Sequence, residues 1–307
     1  MQLYFAVPDT ATTHDGVLVR SFLRQCAVST DLARAVKFRG GGFFADGVPV
    51  LANRRIYPGQ MLSFALPPEG DGVTPQPEIP VKVVYEDAFA VVLEKPPQLA
   101  VHPTLNYPGG TLANGYAAWA AAHGHSPVFR PVNRIDKDTS GLLVVAKDDA
   151  THIGLSQQMA VHSVERAYQT VVYGGFAQDE GFVEANLGRS KTDRKKMAVY
   201  PATEPHTKYA YTGYKVLERL GEFTLLECRL KTGRTHQIRV HMASIHHPVA
   251  GDPVYGPHNC ITSLHGQCLH AKTLGFIHPI TGEQLRFDSE LPDYFTHFLA
   301  TLRRKNT

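Results

Sequence analysis

The residues best equipped for chemistry lie in Pro131-Val132-Asn133-Arg134-Ile135-Asp136-Lys137-Asp138-Thr139-Ser140-Gly141, which runs straight into the apolar Leu142-Leu143-Val144-Val145-Ala146. Asp136 stands there between two basic side chains. A carboxylate fixed at the edge of a rigid strand keeps its aim, and neighbouring positive charge favours its anionic form. Those are the properties of a carboxylate nucleophile. A lone loop aspartate is more commonly a turn residue or a helix cap, and Asp138 fits that plainer description. Thr139 and Ser140 can donate hydrogen bonds that shape the loop, and Gly141 permits a tight change of direction. A second concentration of functional groups is Leu230-Lys231-Thr232-Gly233-Arg234-Thr235-His236-Gln237-Ile238-Arg239-Val240-His241-Met242. The spacing predicts a strand ending at Gly233, a cap at Thr235, and a helix whose inner face is Ile238, Met242 and Ile245. Arg239 lies next to that face, so its guanidinium can turn into a site instead of bulk water. The plainer alternative for this segment is a surface helix with ordinary salt bridges.

The elements that must position these groups follow from pattern. Val81 to Tyr85 and Ala90 to Glu94 read as a hairpin around Glu86-Asp87, and Thr111 caps a helix through Leu112, Tyr116, Trp119 and Ala120. A strand over 142–146 precedes a helix from about Asp149 to Ala160 and a strand over 167–173. Tyr209 to Leu217 and Phe223 to Leu230 form another hairpin across Gly221. Strands dominate without regular βαβ alternation. The class is therefore α+β, with a mixed, mainly antiparallel central sheet flanked by helices.

Residues 1–68 read as a separate small module. Val17, Val19, Phe22 and Leu23 fall at helical intervals, and Ser29 or Thr30 caps a second helix through Leu32 and Val36 that ends at Gly40-Gly41-Gly42. Asp46-Gly47 is a hairpin turn, and Tyr57-Pro58-Gly59-Gln60 turns into the strand Met61 to Leu66. Residues 69–80, rich in Pro and Gly, read as a linker, leaving 81–307 as the catalytic part.

Three motifs resemble those of the RluA-type pseudouridine synthases. Asn133 to Gly141 is similar to the family's His-Arg-Leu-Asp-x-x-Thr-Ser-Gly loop, with Asn133 in place of the histidine. Arg234 to His241 resembles Arg-Thr-His-Gln-Ile-Arg-x-His, and Glu165-Arg166-Ala167-Tyr168 resembles Glu-Lys-x-Tyr. Lys95 to Pro103 resembles Lys-Pro-x-Gly-Leu-x-x-His-Pro, with Gln98 replacing the glycine. These likenesses run from roughly residue 81 to 290. They imply a pseudouridine synthase fold and an enzyme that isomerises uridine in structured RNA, with ribosomal large-subunit RNA favoured over transfer RNA. The implied catalytic residues are Asp136 as nucleophile, Arg239 as its partner and Tyr168 packed on the uracil. Arg134, Leu230, Arg234 and Thr139 are the implied substrate contacts. Attack on the sugar and attack on the uracil ring both remain open. The order of elements in 1–68 resembles an alpha-L RNA-binding module, in which Arg34, Lys37 and Arg39 could face phosphate; a packing module without RNA contact is the alternative. Another reading of the whole chain is a retired, non-catalytic RNA-binding or ribosome-assembly protein on the same scaffold, but such a protein would be expected to lose Asp136, Arg239 or Tyr168. A glycosidase built on Asp136 and Glu165 lacks a defensible pair of facing carboxylates.

Composition sets the outer bounds. A hydrophobic fraction of 43% and a charged fraction of 19% are those of a globular chain, which excludes a disordered one. A net charge of +3 permits a polyanionic partner without demanding one. The basic residues cluster at Arg189, Lys191, Arg194, Lys195 and Lys196, at Lys231, Arg234 and Arg239, and in the tail Arg303-Arg304-Lys305. The first two clusters flank motif residues and suit RNA phosphate, whereas the tail reads as a solvated end. No apolar run is long enough for a membrane span, and the N-terminus lacks signal-peptide features, so the expected setting is the cytoplasm. Four cysteines do not suggest a disulfide scaffold. No metal is expected: His236 and His241 are five apart, and Cys260, Cys268 and His270 contain no Cys-x-x-Cys pair. No cofactor is expected either, since Gly40-Gly41-Gly42 follows a helix and no dinucleotide or Walker loop occurs. A monomer is the default.

Overall fold

The computed structural model describes residues 1–8, 16–68, 72–104, 107–193, 196–257, 261, 264 and 266–306. Glu69, Gly70 and Asp71 of the linker, Arg194 and Lys195 of the first basic cluster, and Cys260 lie outside these residues.

The first part of the chain contains β1 (Gln2–Ala6), β2 (Val17–Leu18), α1 (Val19–Gln25), α2 (Thr30–Arg39), β3 (Phe43–Ala45), β4 (Val48–Val50), β5 (Arg55–Ile56) and β6 (Met61–Ala65). Strands β1, β6, β3 and β4 form a sheet in that order. Helices α1 and α2 bury Val19, Phe22, Leu23, Leu32 and Val36 in one core with Phe43, Leu62 and Phe64. Ser29 caps α2 by accepting the Leu32 N–H at 3.1 Å. The turns at Asp46 and Gln60 fasten each other: Asp46 accepts from the Met61 N–H at 2.8 Å and from Gln60 Nε2 at 2.9 Å. Ile153, from a helix of the larger part, packs into this core.

The second part opens with β7 (Lys82–Glu86), β8 (Ala90–Lys95), α3 (Leu112–Ala122), β9 (Arg130–Pro131), β10 (Ser140–Ala146) and α4 (Asp149–Ala160). It continues with β11 (Glu165–Tyr173), β12 (Glu180–Arg189), β13 (Met197–Tyr200), β14 (Lys208–Leu220) and β15 (Phe223–Leu230). The last elements are α5 (Gln237–Ser244), β16 (Leu269–Ile277), β17 (Gln284–Asp288) and α6 (Asp293–Lys305). The main sheet runs β13-β12-β14-β15-β11-β16-β10-β8-β7, with β17 added to β16 and β9 to β10. Its pairs are antiparallel except β10 with β16, so the sheet is mixed and mainly antiparallel.

Alternation along the strands assigns the two faces. Tyr168, Leu226 and Cys228 join Leu112, Tyr116, Ile238 and Met242 in one core beneath α3 and α5. On the opposite face Val171, Leu220 and Leu225 are covered by Phe295, Leu299 and Leu302 of α6. Residues 72–80 run along α3: Gln76 N–H donates to Asn114 O at 3.0 Å, and Asn114 Nδ2 donates to Thr74 O at 2.9 Å.

The parallel strand pair of the main sheet sits where the chemistry was expected, with Ser140 opposite His270 and Gly141 opposite Ala271. Gly141 has φ +112°, and a Cβ there would stand 2.3 Å from Ala271 O. Only glycine fits such a close backbone approach. Gly141→Ala should lower stability by at least about 2 kcal/mol, because it adds a backbone clash to a strained conformation; denaturant unfolding of the two proteins measures it, and an unchanged midpoint would contradict the assigned crossing.

Candidate active site

The loop between β9 and β10 is fastened from several sides. Asn133 is buried; its Oδ1 accepts the Val144 N–H at 2.9 Å and its Nδ2 donates to Leu142 O at 3.4 Å. The residue that departs from the family motif thus ties the loop to the strand it enters. Thr139 donates its N–H to Asp136 O at 3.1 Å, and its hydroxyl accepts from Gln267 Nε2 at 3.0 Å. Ser140 Oγ bonds His270 Nδ1 at 2.8 Å. Lys95 at the end of β8 is fully buried and donates to the carbonyls of Pro96 at 2.7 Å and Lys137 at 2.8 Å. Burial pushes its ammonium down to about 7, against the pull of Asp138 and Asp136.

These fastenings hold Asp136 at the wall of a cleft of about 480 Å³, a size suited to a small ligand. Its side chain is 26% exposed, and Oδ2 accepts from Arg239 Nη1 at 2.9 Å. Oδ1 takes no hydrogen bond from the described residues. Arg239 is itself buried, and its Nε and Nη2 donate to Asp252 Oδ2 and Oδ1 at 2.7 and 2.8 Å. Burial pulls the guanidinium down, but Asp252 and Asp136 outweigh it and the net shift is upward. Asp252 is completely buried and also accepts the N–H groups of Val254 and Tyr255 at 2.8 and 3.1 Å.

The start of α5 differs from the sequence expectation. The helix begins at Gln237, two residues beyond Thr235, and its flanking residue His236 has φ +54°. The Gln237 side chain does the fastening: Oε1 accepts from the Arg234 N–H and Thr232 Oγ1 at 2.9 and 2.7 Å, while Nε2 donates to Tyr211 O at 2.9 Å. That amide satisfies the turn, so no threonine cap is needed. The bend carries His236 Nε2 to 4.0 Å from Asp136 Oδ2, with Nδ1 bonded to Tyr255 OH at 2.9 Å.

The cleft brings together all seven residues singled out from the sequence: Asp136, Tyr168, Arg239, Arg134, Leu230, Arg234 and Thr139. Tyr168 is buried on β11, and burial raises its phenol, with Asp136 adding to the rise and Arg166 opposing it. It therefore presents a neutral hydroxyl and an aromatic face. Leu230, at the end of β15, lines the same wall. Arg134 is exposed on the loop beside Asp136. Arg234 is half-buried, with Nε donated to Tyr209 O at 2.9 Å. Thr139 is 2% exposed and committed to Gln267, so it shapes the loop. Asp252, Lys95 and Arg166 were missed. Nothing in Gly251-Asp252-Pro253 distinguishes a buried partner from a turn acid. Among the described residues no group of three or more His, Cys, Asp or Glu could hold a metal ion, and no helix is long and apolar enough to cross a membrane.

Comparison with known proteins gives a consistent result. The profile of the RNA pseudouridylate synthase family matches residues 90–244. The chain is 44% identical over 270 residues to an uncharacterized RNA pseudouridine synthase, YlyB, of Bacillus subtilis, covering 87% of each chain. It is 46% identical over 226 residues to ribosomal large subunit pseudouridine synthase D of Zymomonas mobilis, covering 70% of each. Among solved structures it is similar to human RNA pseudouridylate synthase domain containing 4, with a TM-score of 0.59 and 25% identity, over 72% of this chain and 93% of that one.

Lys95 supplies a pH test of how the loop is held. Its value falls from the ordinary 10.5 to about 7 on folding, so between those values the unfolded chain binds the extra proton and stability rises with pH. Below about pH 7 both states are protonated and this contribution to the slope vanishes. Lys95→Met should remove that rise; denaturant unfolding across the window measures it, and equal slopes in both proteins would show that Lys95 does not titrate there.

Proposed function

Because this chain belongs to the RNA pseudouridylate synthase family and is an RNA pseudouridine synthase, we propose that Asp136 is its nucleophile and that large-subunit ribosomal RNA is its substrate. The observation that carries the first part is the Asp136 carboxylate in the cleft, held through one oxygen by Arg239 while Oδ1 is left for the substrate. The second part is supported by the relatives named ribosomal large subunit pseudouridine synthase D, at 36–46% identity.

The reaction breaks the bond between ribose C1′ and uracil N1, turns the base, and joins C1′ to C5. The proton lost from C5 is matched by one gained at N1, so the isomerisation is balanced without a co-reactant. A uridine stacked in a helix cannot reach Asp136, and flipping it out costs a few kcal/mol. Arg134, exposed beside the nucleophile, fills the vacated place and meets phosphate. Tyr168 and Leu230 hold the base between an aromatic face and an aliphatic one, which allows rotation while preventing escape. Asp136 attacks either C1′ or the uracil ring, and both routes use the same free Oδ1.

Residues 1–68 are read as an RNA-binding module joined to the catalytic part at 81–307. They hold seven Lys and Arg against four Asp and Glu, a larger proportional excess than the 24 against 21 of residues 81–307. Arg34, Lys37 and Arg39 are exposed on α2, a placement suited to phosphate.

Asp136→Asn should reduce product formation by at least about three orders of magnitude while leaving the melting temperature and RNA affinity near those of the wild type. Chemical mapping of pseudouridine reads it, and a normal yield would sink the nucleophile assignment. The same mapping on total RNA from cells with and without the gene should show loss at large-subunit ribosomal positions; loss confined to transfer RNA would redirect the substrate assignment.

A further inference from the structure

Among the described residues three arginines are buried, and two of them have a carboxylate. Arg130 bonds Asp149 at 2.7 Å, and Arg239 bonds both Asp136 and Asp252. Arg166 differs. It is 6% exposed, its Nη2 donates to Lys231 O at 3.3 Å, and its Nε is buried without a hydrogen-bond partner. Among the described residues no carboxylate lies within 4.0 Å of its guanidinium. The neighbouring Glu165 is engaged elsewhere, with Arg286 at 3.1 Å.

Arg166 lines the same cleft as Asp136. On β11 it is two residues from Tyr168, so the two side chains share a face. The pairing of Ala167 with Arg229 sets it next to Leu230. Burial lowers its ionisation, Tyr168 opposes the fall, and the positive charge of Arg234 adds to it. Gly233 leaves the guanidinium its room, since a Cβ there would stand 2.8 Å from Nη1. A buried guanidinium with no counter-charge, beside a second cation, costs several kcal/mol. An anionic ligand removes that cost. Uracil is neutral, but the flipped nucleotide brings its phosphodiester to the mouth of the cleft.

We infer that Arg166 and Arg234 form a phosphate subsite that grips the RNA backbone beside the flipped uridine. This rests on the reading of the cleft as the uridine site. The planar fork of Arg166 donates from the wall, and Arg234, whose Nε is held by Tyr209 O, closes from the rim.

The test uses the full chain and the ribosomal RNA fragment found by the mapping above, with a neutral methylphosphonate placed either 5′ or 3′ of the target uridine. Wild type should bind one of the two neutralised RNAs at least about tenfold more weakly than the natural RNA. Arg166→Gln should bind natural RNA with a similar loss, show no further loss at that position, and have a shallower salt dependence by about one phosphate. Arg166→Lys keeps the charge without the fork, and its response to the neutralised RNA should fall below wild type's; it decides the matter if the glutamine variant does not fold. Insensitivity of the wild type to both neutralisations would overturn the subsite. So would an Arg166→Gln protein that binds normally but turns over slowly at saturating RNA, since the charge would then serve the detached base. Product formation by Asp136→Asn would instead remove the cleft reading itself, and the two failures are therefore distinct.

Discussion

Arg239 is shared between two carboxylates, and the geometry of the cleft depends on that sharing. With Nε and Nη2 committed to Asp252, it has only Nη1 for Asp136. An arginine free of Asp252 could close on Asp136 with two parallel bonds and occupy both of its oxygens. Asp252 prevents this: it is itself held by the N–H groups of Val254 and Tyr255. The chain of contacts from that turn through Arg239 fixes the proposed nucleophile and leaves Oδ1 available. Burying Arg239 with Asp252 is tolerable because the two charges answer each other through two hydrogen bonds and Asp252 takes two backbone N–H groups as well.

The opposite side of the nucleophile is held by the backbone. The parallel contact of β10 with β16 sets Gly141 against Ala271, and Lys95 grips the carbonyl of Lys137, next to Asp136. Asn133 and Thr139 pin the two ends of the loop to Val144 and Gln267. Segments far apart in sequence, near residues 95, 136, 239, 252 and 268, therefore meet at one point. Preorganisation of this kind fixes a functional carboxylate more tightly than any single bond could.

What could be read from the sequence followed from how local each signal was. Helix α4 and the hairpin of β14 and β15 carried period and turn chemistry of their own, and both occur where the pattern put them. Asp136 and Arg239 were legible because their neighbours form long motifs. Asn133 looked like a departure from a catalytic pattern, yet its amide serves the strand. Thr235 looked like a cap because capping is inferred from residue type; the Gln237 side chain, folding back across the turn, supplies the bonds instead. Asp252 was not legible, since no motif surrounds it and its importance lies in Arg239; Lys95 was legible only as the start of a motif, without its burial or its bond to Lys137 O. Arg166 was legible only as part of a motif, because its missing counter-charge is a property of three-dimensional packing.

The distribution of charge separates attraction from placement. Residues 81–307 hold 24 cations against 21 anions, the same excess of three as the seven against four of residues 1–68, so net charge alone does not assign RNA attraction to either part. Surface charges act over only about 8 Å at physiological salt, so what matters is where each excess stands. Within the cleft the balance is local and deliberately uneven: Asp136 and Asp252 answer Arg239, while Arg134, Arg166 and Arg234 have no carboxylate among the described residues within salt-bridge reach. An RNA backbone drawn to such a site is oriented by where the positive charge is uncompensated. Arg239, the cation bonded to Asp136, is already satisfied and takes no part in that orientation.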